Sequence, residues 1–173
     1  MSDPMTLKIE PLTTESFAPF GDVIQTESAH SFLINNGTTE RFHALAAVEL
    51  LEENNDVARE NHSRAIISIF RAEARNFPFS INMLEKHPLG SQAFIPLSGE
   101  PYLVVVATGT DSPRQLRAFI ATANQGVNYH AGVWHHPLLA LHKTCDFLVV
   151  DRQGSGVNCI EDDLDPSYLL SYP

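Results

Sequence analysis

The sequence predicts an all-β fold, a sandwich or a barrel, and three observations carry that prediction. Short apolar or alternating runs recur along the chain, separated by Gly, Pro, Asn and Asp. β-branched and aromatic residues crowd those runs, and helical periodicity is scarce. No internal repeat or linker divides the 173 residues, a length that suits one core. The expected organisation is one domain over residues 1–173, with 1–6 and 160–173 as peripheral tails.

In chain order, LKIEPL from Leu7 reads as a first strand. TTESFAPFG, Thr13 to Gly21, fits a short helical turn, with Thr13 or Thr14 as cap and Gly21 as stop. GDVIQT resumes extended structure, and INNG, Ile34 to Gly37, is a tight turn because Asn and Gly tolerate positive φ. Candidate strands follow at ERFHALAAVEL, RAIISIFRA, PFSINMLEKH, QAFIPL, YLVVVATG, LRAFIAT, LLALHKT and DFLVVD. AAVELLEENNDVARENH has room for a longer helix, but its centre is polar, so Glu52 to His62 reads equally as a solvated loop. In the tail EDDLDPSYLLSYP, the charges Glu161, Asp162, Asp163 and Asp165 read as solvated surface.

A net charge of −10 repels polyanionic nucleic acid and anionic membranes, so neither is an expected partner. A small anion remains possible where one arginine is held inward. Two cysteines without a CxxC form no disulfide framework, the start MSDPMTLKIEPL lacks signal-peptide character, and the apolar run Tyr102 to Ala107 is too short to span a bilayer. The expectation is a cytoplasmic protein with reduced thiols.

Two segments could carry chemistry. In INMLEKHPLGSQAF, alternation places Ile81, Met83, Glu85 and His87 on one strand face and Asn82, Leu84 and Lys86 on the other. If the first face looks inward, a carboxylate and an imidazole enter the core together, which is costly unless they bind something or each other. In GVNYHAGVWHHPL, His130, His135 and His136 crowd around the only tryptophan. A plain Glu–His hydrogen bond at a barrel mouth explains the first segment equally well.

The spacing of Glu85-Lys86-His87 with Gln92, and of the segment His130 to His135, resembles the two motifs of cupin barrels. That resemblance places Glu85, His87, Gln92 and His135 at the four metal-ligand positions. Glutamate stands for one histidine of the usual set, glutamine for the acid and His130 for the proline. The segments INNGTTERFHALA, EKHPLGSQAFIPL, LRAFIATANQGVNYHAGVWHHPL and DFLVVDRQG further resemble the ureidoglycolate lyase (ureidoglycolate hydrolase) family, in the same order from Leu7 to about Gly154. The resemblance implies a cupin-type β-barrel, jelly-roll-like, with one or two short helices and one barrel per chain. It also implies a homodimer, Ni²⁺ as cofactor, and cleavage of (S)-ureidoglycolate to glyoxylate and urea in allantoin breakdown.

That elimination needs a base for the hydroxyl proton, an acid for the departing nitrogen and a cation for the carboxylate. Glu85, His87 and His135, with His130 in reserve, are the candidate proton carriers, and a metal on such residues would act as a Lewis acid. Arg71 is the expected carboxylate anchor, because Ile67, Ile69 and Arg71 share a face of RAIISIFRA taken to carry the core. Gln92, Asn35 and Asn36 could hydrogen-bond substrate, although the asparagines equally make a turn. His136, Trp134 and Pro137 are expected to shape the corner. The three lysines Lys8, Lys86 and Lys143 give no Schiff-base site, the two cysteines lack nucleophile partners, and neither a phosphate loop nor a GxSxG elbow occurs. Three rivals remain open: an amidohydrolase releasing ammonia, a metal-dependent oxygenase and a non-catalytic small-acid-binding module.

Overall fold

A computed structural model describes residues 5–53 and 62–172. The elements are β1 (Met5–Leu7), β2 (Ile9–Pro11), α1 (Thr14–Phe17), β3 (Gly21–Ile24), β4 (Ser31–Ile34), β5 (Thr39–Phe42), β6 (Arg64–Ala72), β7 (Phe79–Lys86) and β8 (Gln92–Pro96). They continue with β9 (Tyr102–Ala107), β10 (Leu116–Ala121), β11 (Gly126–Tyr129), β12 (Trp134–His135), β13 (Leu139–Ala140), β14 (Cys145–Gln153) and β15 (Ile160–Leu170). The larger sheet runs β1-β15-β7-β12-β9-β10-β2, with β13 also on β9, and the second runs β3-β11-β8-β14-β6. The two curl against each other into a nearly closed barrel of cupin type, and β4 and β5 form a separate hairpin.

Strand β9 shows why the chain folds this way. Tyr102, Val104 and Val106 belong to the core between the sheets, with Phe94, Phe119, Val127, Phe147 and Val149. Leu103, Val105 and Ala107 enter a second cluster with Ile81, Leu84, Trp134 and Leu170. Alternate residues leave a strand on opposite faces, so β9 is buried on both, and a strand buried on both faces has a continuous apolar run as its signature. Short α1 caps one end: Thr13 Oγ1 accepts from the Ser16 amide, and Phe17 is fully buried. Gly21 opens β3 opposite Tyr129, where an added Cβ would lie 1.9 Å from Asn128 O, so only glycine permits this approach.

Several expectations change. LKIEPL is divided between β1, paired with β15, and β2, paired with β10. The strand expected over ERFHALAAVEL stops at Phe42, GVNY forms the unanticipated β11, and the possible helix of AAVELLEENNDVARENH is not helical as far as Glu53. The rest of that stretch, except His62, lies outside the described residues. Within 160–172 the chain is not a loose tail: β15 is an eleven-residue strand along β7, and Leu170 is fully buried. Its charges still face outward or sit half-buried, as their solvation demands.

The face assignment within β7 also shifts. Ile81 and Leu84 lie in one cluster although they are three residues apart, and the ladder with β15 slips between Met83↔Asp163 and Ile81↔Tyr168, with the extra residues on β15. Glu85 and His87 therefore keep a common face without sharing it with Ile81. Lys86 does not simply leave the barrel: its ammonium lies 4.5 Å from the Trp134 ring centroid and donates to Thr110 O. In β6 the expected orientation is reversed. Ile67 and Ile69 are 73% and 54% exposed, whereas Phe70 meets the core ring of Phe94.

Candidate active site

Strand pairing builds the centre. β12 pairs with β7 so that His135 lies directly opposite Glu85, and the His87 carbonyl, just beyond β7, accepts from Gly132 N. Segments far apart in sequence therefore deliver Glu85, His87 and His135 to one place. Glu85 Oε1 lies 3.5 Å from His135 Nε2 and 3.8 Å from His87 Nε2. One ligand atom from each of the three residues falls within 4.8 Å of the others.

The hydrogen bonds fix the proton positions. His87 Nδ1 lies 2.7 Å from Asn158 O, and His135 Nδ1 lies 3.0 Å from Val133 O. A carbonyl oxygen only accepts, so each Nδ1 carries the hydrogen, and each Nε2 of the neutral ring presents a lone pair. Both Nε2 atoms are buried and have no hydrogen-bond partner. Two lone pairs thus face a carboxylate, an arrangement that repels itself unless a proton or a metal cation lies between them. When a proton occupies His135 Nε2, the ring donates to Glu85 and holds its carboxyl below the ordinary range; burial opposes this, and the charges of protonated His135 and His87 assist.

Tyr129 stacks flat on His135, with centroids 4.1 Å apart and planes 8° from parallel, which locks the imidazole. Burial pushes its hydroxyl well above the ordinary range, so it stays neutral. Seeing GVNY as a strand would have brought Tyr129 to notice; otherwise no signal in the sequence marks it. Cys159, just ahead of β15, is another residue that the sequence does not mark, and its thiol lies 4.0 Å from Glu85 Oε2. Only the β15–β7 pairing brings it there.

A cavity of about 300 Å³ opens beside Glu85, and Gln92, Arg71, Arg75 and Phe94 contribute to its wall. Gln92 Nε2 donates to Asp151 Oδ2 at 3.3 Å, leaving Gln92 Oε1 buried and without a partner. Arg71 reaches the rim from the outward face of β6, not from a core face, and makes a bidentate pair with Asp146 at 2.7 and 2.9 Å. Arg71 is largely exposed and Asp146 partly buried, and the carboxylate raises the guanidinium's already high value. Arg75, not singled out from the sequence, lies with its guanidinium 5.6 Å from the Phe79 ring centroid.

The remaining candidates lie apart from the cluster. His130 Nε2 pairs with Asp22 Oδ2 at 3.0 Å, and the same oxygen accepts from Asn128 Nδ2. Asn35 and Asn36 take positive φ in the exposed turn between β4 and β5, where Asn35 Nδ2 donates to Thr39 Oγ1. His136 donates from Nδ1 to Pro137 O, and burial pushes its imidazole below the ordinary value.

A cupin-type barrel gathering two imidazoles and a carboxylate within one wall defines the class of this protein. The family model for ureidoglycolate lyase matches residues 4–171, and the chain belongs to that family. It is 59% identical over 167 residues to a ureidoglycolate lyase of Pseudomonas putida, covering 95% of each chain. A ureidoglycolate lyase of Pseudomonas entomophila matches equally well, at 59% over 167 residues and 95% of each chain. One from Pseudomonas paraeruginosa is 60% identical over 158 residues, 90% of this chain and 89% of the relative.

Proposed function

We propose that this protein is a carbon–nitrogen lyase that cleaves (S)-ureidoglycolate to glyoxylate and urea, serving nitrogen recovery from allantoin. The observation that carries the reaction chemistry is the convergence of two unpartnered imidazole Nε2 atoms on the Glu85 carboxylate. In the elimination the substrate hydroxyl loses its proton, the carbon–nitrogen bond breaks toward nitrogen, and that nitrogen takes up a proton. Glu85, His87 and His135 hold and return that proton, and Tyr129 keeps the His135 ring in plane. Gln92, oriented by Asp151, offers Oε1 to a ureido N–H. Arg71 takes the substrate carboxylate at the rim. His130, held by Asp22, and Asn35 and Asn36 on their hairpin serve at most the approach to the site.

The donor set of two imidazole nitrogens and one carboxylate oxygen fits a borderline divalent cation such as Ni²⁺, with Gln92 Oε1 as a weaker fourth donor. A cation there would act as a Lewis acid on the substrate's hydroxyl and carboxylate.

One domain and a homodimer complete the proposal. The exposed Ile67 and Ile69 on edge strand β6, with Phe32 and Leu33 on the β4–β5 hairpin, support a second copy as partner. Both cysteines are free, which suits a cytoplasmic location, and no helix among the described residues is long and apolar enough to cross a membrane. The test is urea release from (S)-ureidoglycolate by protein stripped with a chelator and then given back Ni²⁺. Activity restored by Ni²⁺ supports both the reaction and the cation; activity undiminished by stripping removes the cation and leaves the proton carriers.

A further inference from the structure

Asn158 lies in the connection between β14 and β15, outside any strand. Its carbonyl accepts from His87 Nδ1 at 2.7 Å, while its side-chain Oδ1 accepts from Leu89 N at 2.8 Å. One residue therefore grips both ends of the His87-Pro88-Leu89 corner. Pro88 has no amide hydrogen, so Leu89 supplies the first main-chain donor after His87.

The two bonds have different consequences. The carbonyl bond decides which ring nitrogen of His87 carries hydrogen, because an unconstrained neutral imidazole places it on either. With hydrogen on Nδ1, the lone pair on Nε2 faces Glu85; with hydrogen on Nε2, a donor would face Glu85 and the lone pair would turn away. The side-chain bond decides whether the carbonyl stays there. The connection 154–159 has no ladder to hold its backbone, and the Oδ1–Leu89 bond ties Asn158 to the very corner that carries His87. His135 needs no such aid, since its carbonyl partner, Val133, is two residues away in the same segment.

We propose that Asn158 is a positioning residue of the active site, fixing the tautomer and ring orientation of His87 from a connection distant in sequence. This rests on the reading of Glu85, His87 and His135 as the reaction centre. Partners that orient an imidazole through its second nitrogen affect the chemistry at its first, commonly by about 10–100-fold.

The test reads the tautomers directly, by long-range ¹H–¹⁵N NMR of the histidine rings in metal-free protein at a pH where imidazoles are neutral. In the unaltered protein His87 and His135 both carry hydrogen on Nδ1. Asn158→Ala releases His87 into a mixture while His135 is unchanged, and kcat for urea release falls about 10-fold or more. Asn158→Asp keeps an acceptor oxygen toward Leu89 N and restores the single His87 tautomer. Should Asn158→Ala fail to fold, Asn158→Ser, whose hydroxyl stops short of Leu89 N, replaces it.

A His87 that already carries hydrogen on Nε2 overturns the proposal, as does one that keeps its single Nδ1–H tautomer in the Ala variant with unchanged kcat. If the tautomer is lost while kcat holds, the positioning stands and the role of His87 in the reaction fails. The two are thus separable.

Discussion

Glu85 sits where three requirements meet. Its carboxylate must remain charged in a half-buried place, stay close to two imidazoles without neutralising them permanently, and open onto the cavity. A proton on His135 Nε2 satisfies the first by holding the carboxyl down, and the carbonyl-held Nδ1–H of each ring, which leaves Nε2 free to give that proton up, satisfies the second. Glu85→Gln keeps the shape and removes the charge, so the protein should fold and lose about 10²–10⁴-fold in kcat, read by urea release. His135→Ala should behave similarly, with a greater loss of stability because His135 is 1% exposed and stacked on Tyr129. If both variants unfold instead, the cluster is structural. Arg71→Ala should chiefly raise KM, and unchanged kinetics would remove Arg71 from the site. Glu85, His87 and His135 were legible in the sequence because two motif spacings singled them out. Tyr129 and Asn158 were not, since stacking and main-chain acceptors leave no pattern of residue types.

At the scale of elements, the strands were legible wherever alternation or a double-faced apolar run marked them, as in β9 and β14. Orientation was harder. Nothing in RAIISIFRA says which face meets the core, since both faces carry large apolar residues and β6 lies at a sheet edge. In β7, Ile81 shares its cluster with Leu84, the neighbour of Glu85, so simple alternation does not carry over from Ile81 to Glu85. Nor does acidic EDDLDP read as a strand, because its partner, β7, lies far away in sequence. Gly21 gives a prediction at this scale. An added Cβ collides with Asn128 O in the strand that leads to Tyr129, so Gly21→Ala should cost about 1–3 kcal/mol. Urea denaturation reads this directly, and an unchanged midpoint would show that β3 and β11 move apart freely.

For the molecule as a whole, pH dependence follows from His136. Burial depresses its imidazole below 6.5, so the unfolded chain takes up the proton first as pH falls. Its contribution is complete above 6.5 and is lost as pH drops toward the folded value; Glu85 then adds its own loss below 4.5, because its folded value is depressed too. Denaturation midpoints should therefore fall as the medium is acidified from neutrality, and His136→Gln should flatten the first part of that decline. A midpoint that rises on mild acidification would contradict this sign.

Product stoichiometry decides which reaction the barrel performs. Purified protein with (S)-ureidoglycolate under anaerobic conditions should give urea and glyoxylate in equal amounts, without ammonia and without oxygen uptake when air is admitted. Ammonia in place of urea would mean that water attacks the ureido carbonyl, a need for oxygen would make the two imidazoles and carboxylate an iron-type oxygenase centre, and binding without turnover would leave a sensor. Any of the three would rule out the lyase reaction.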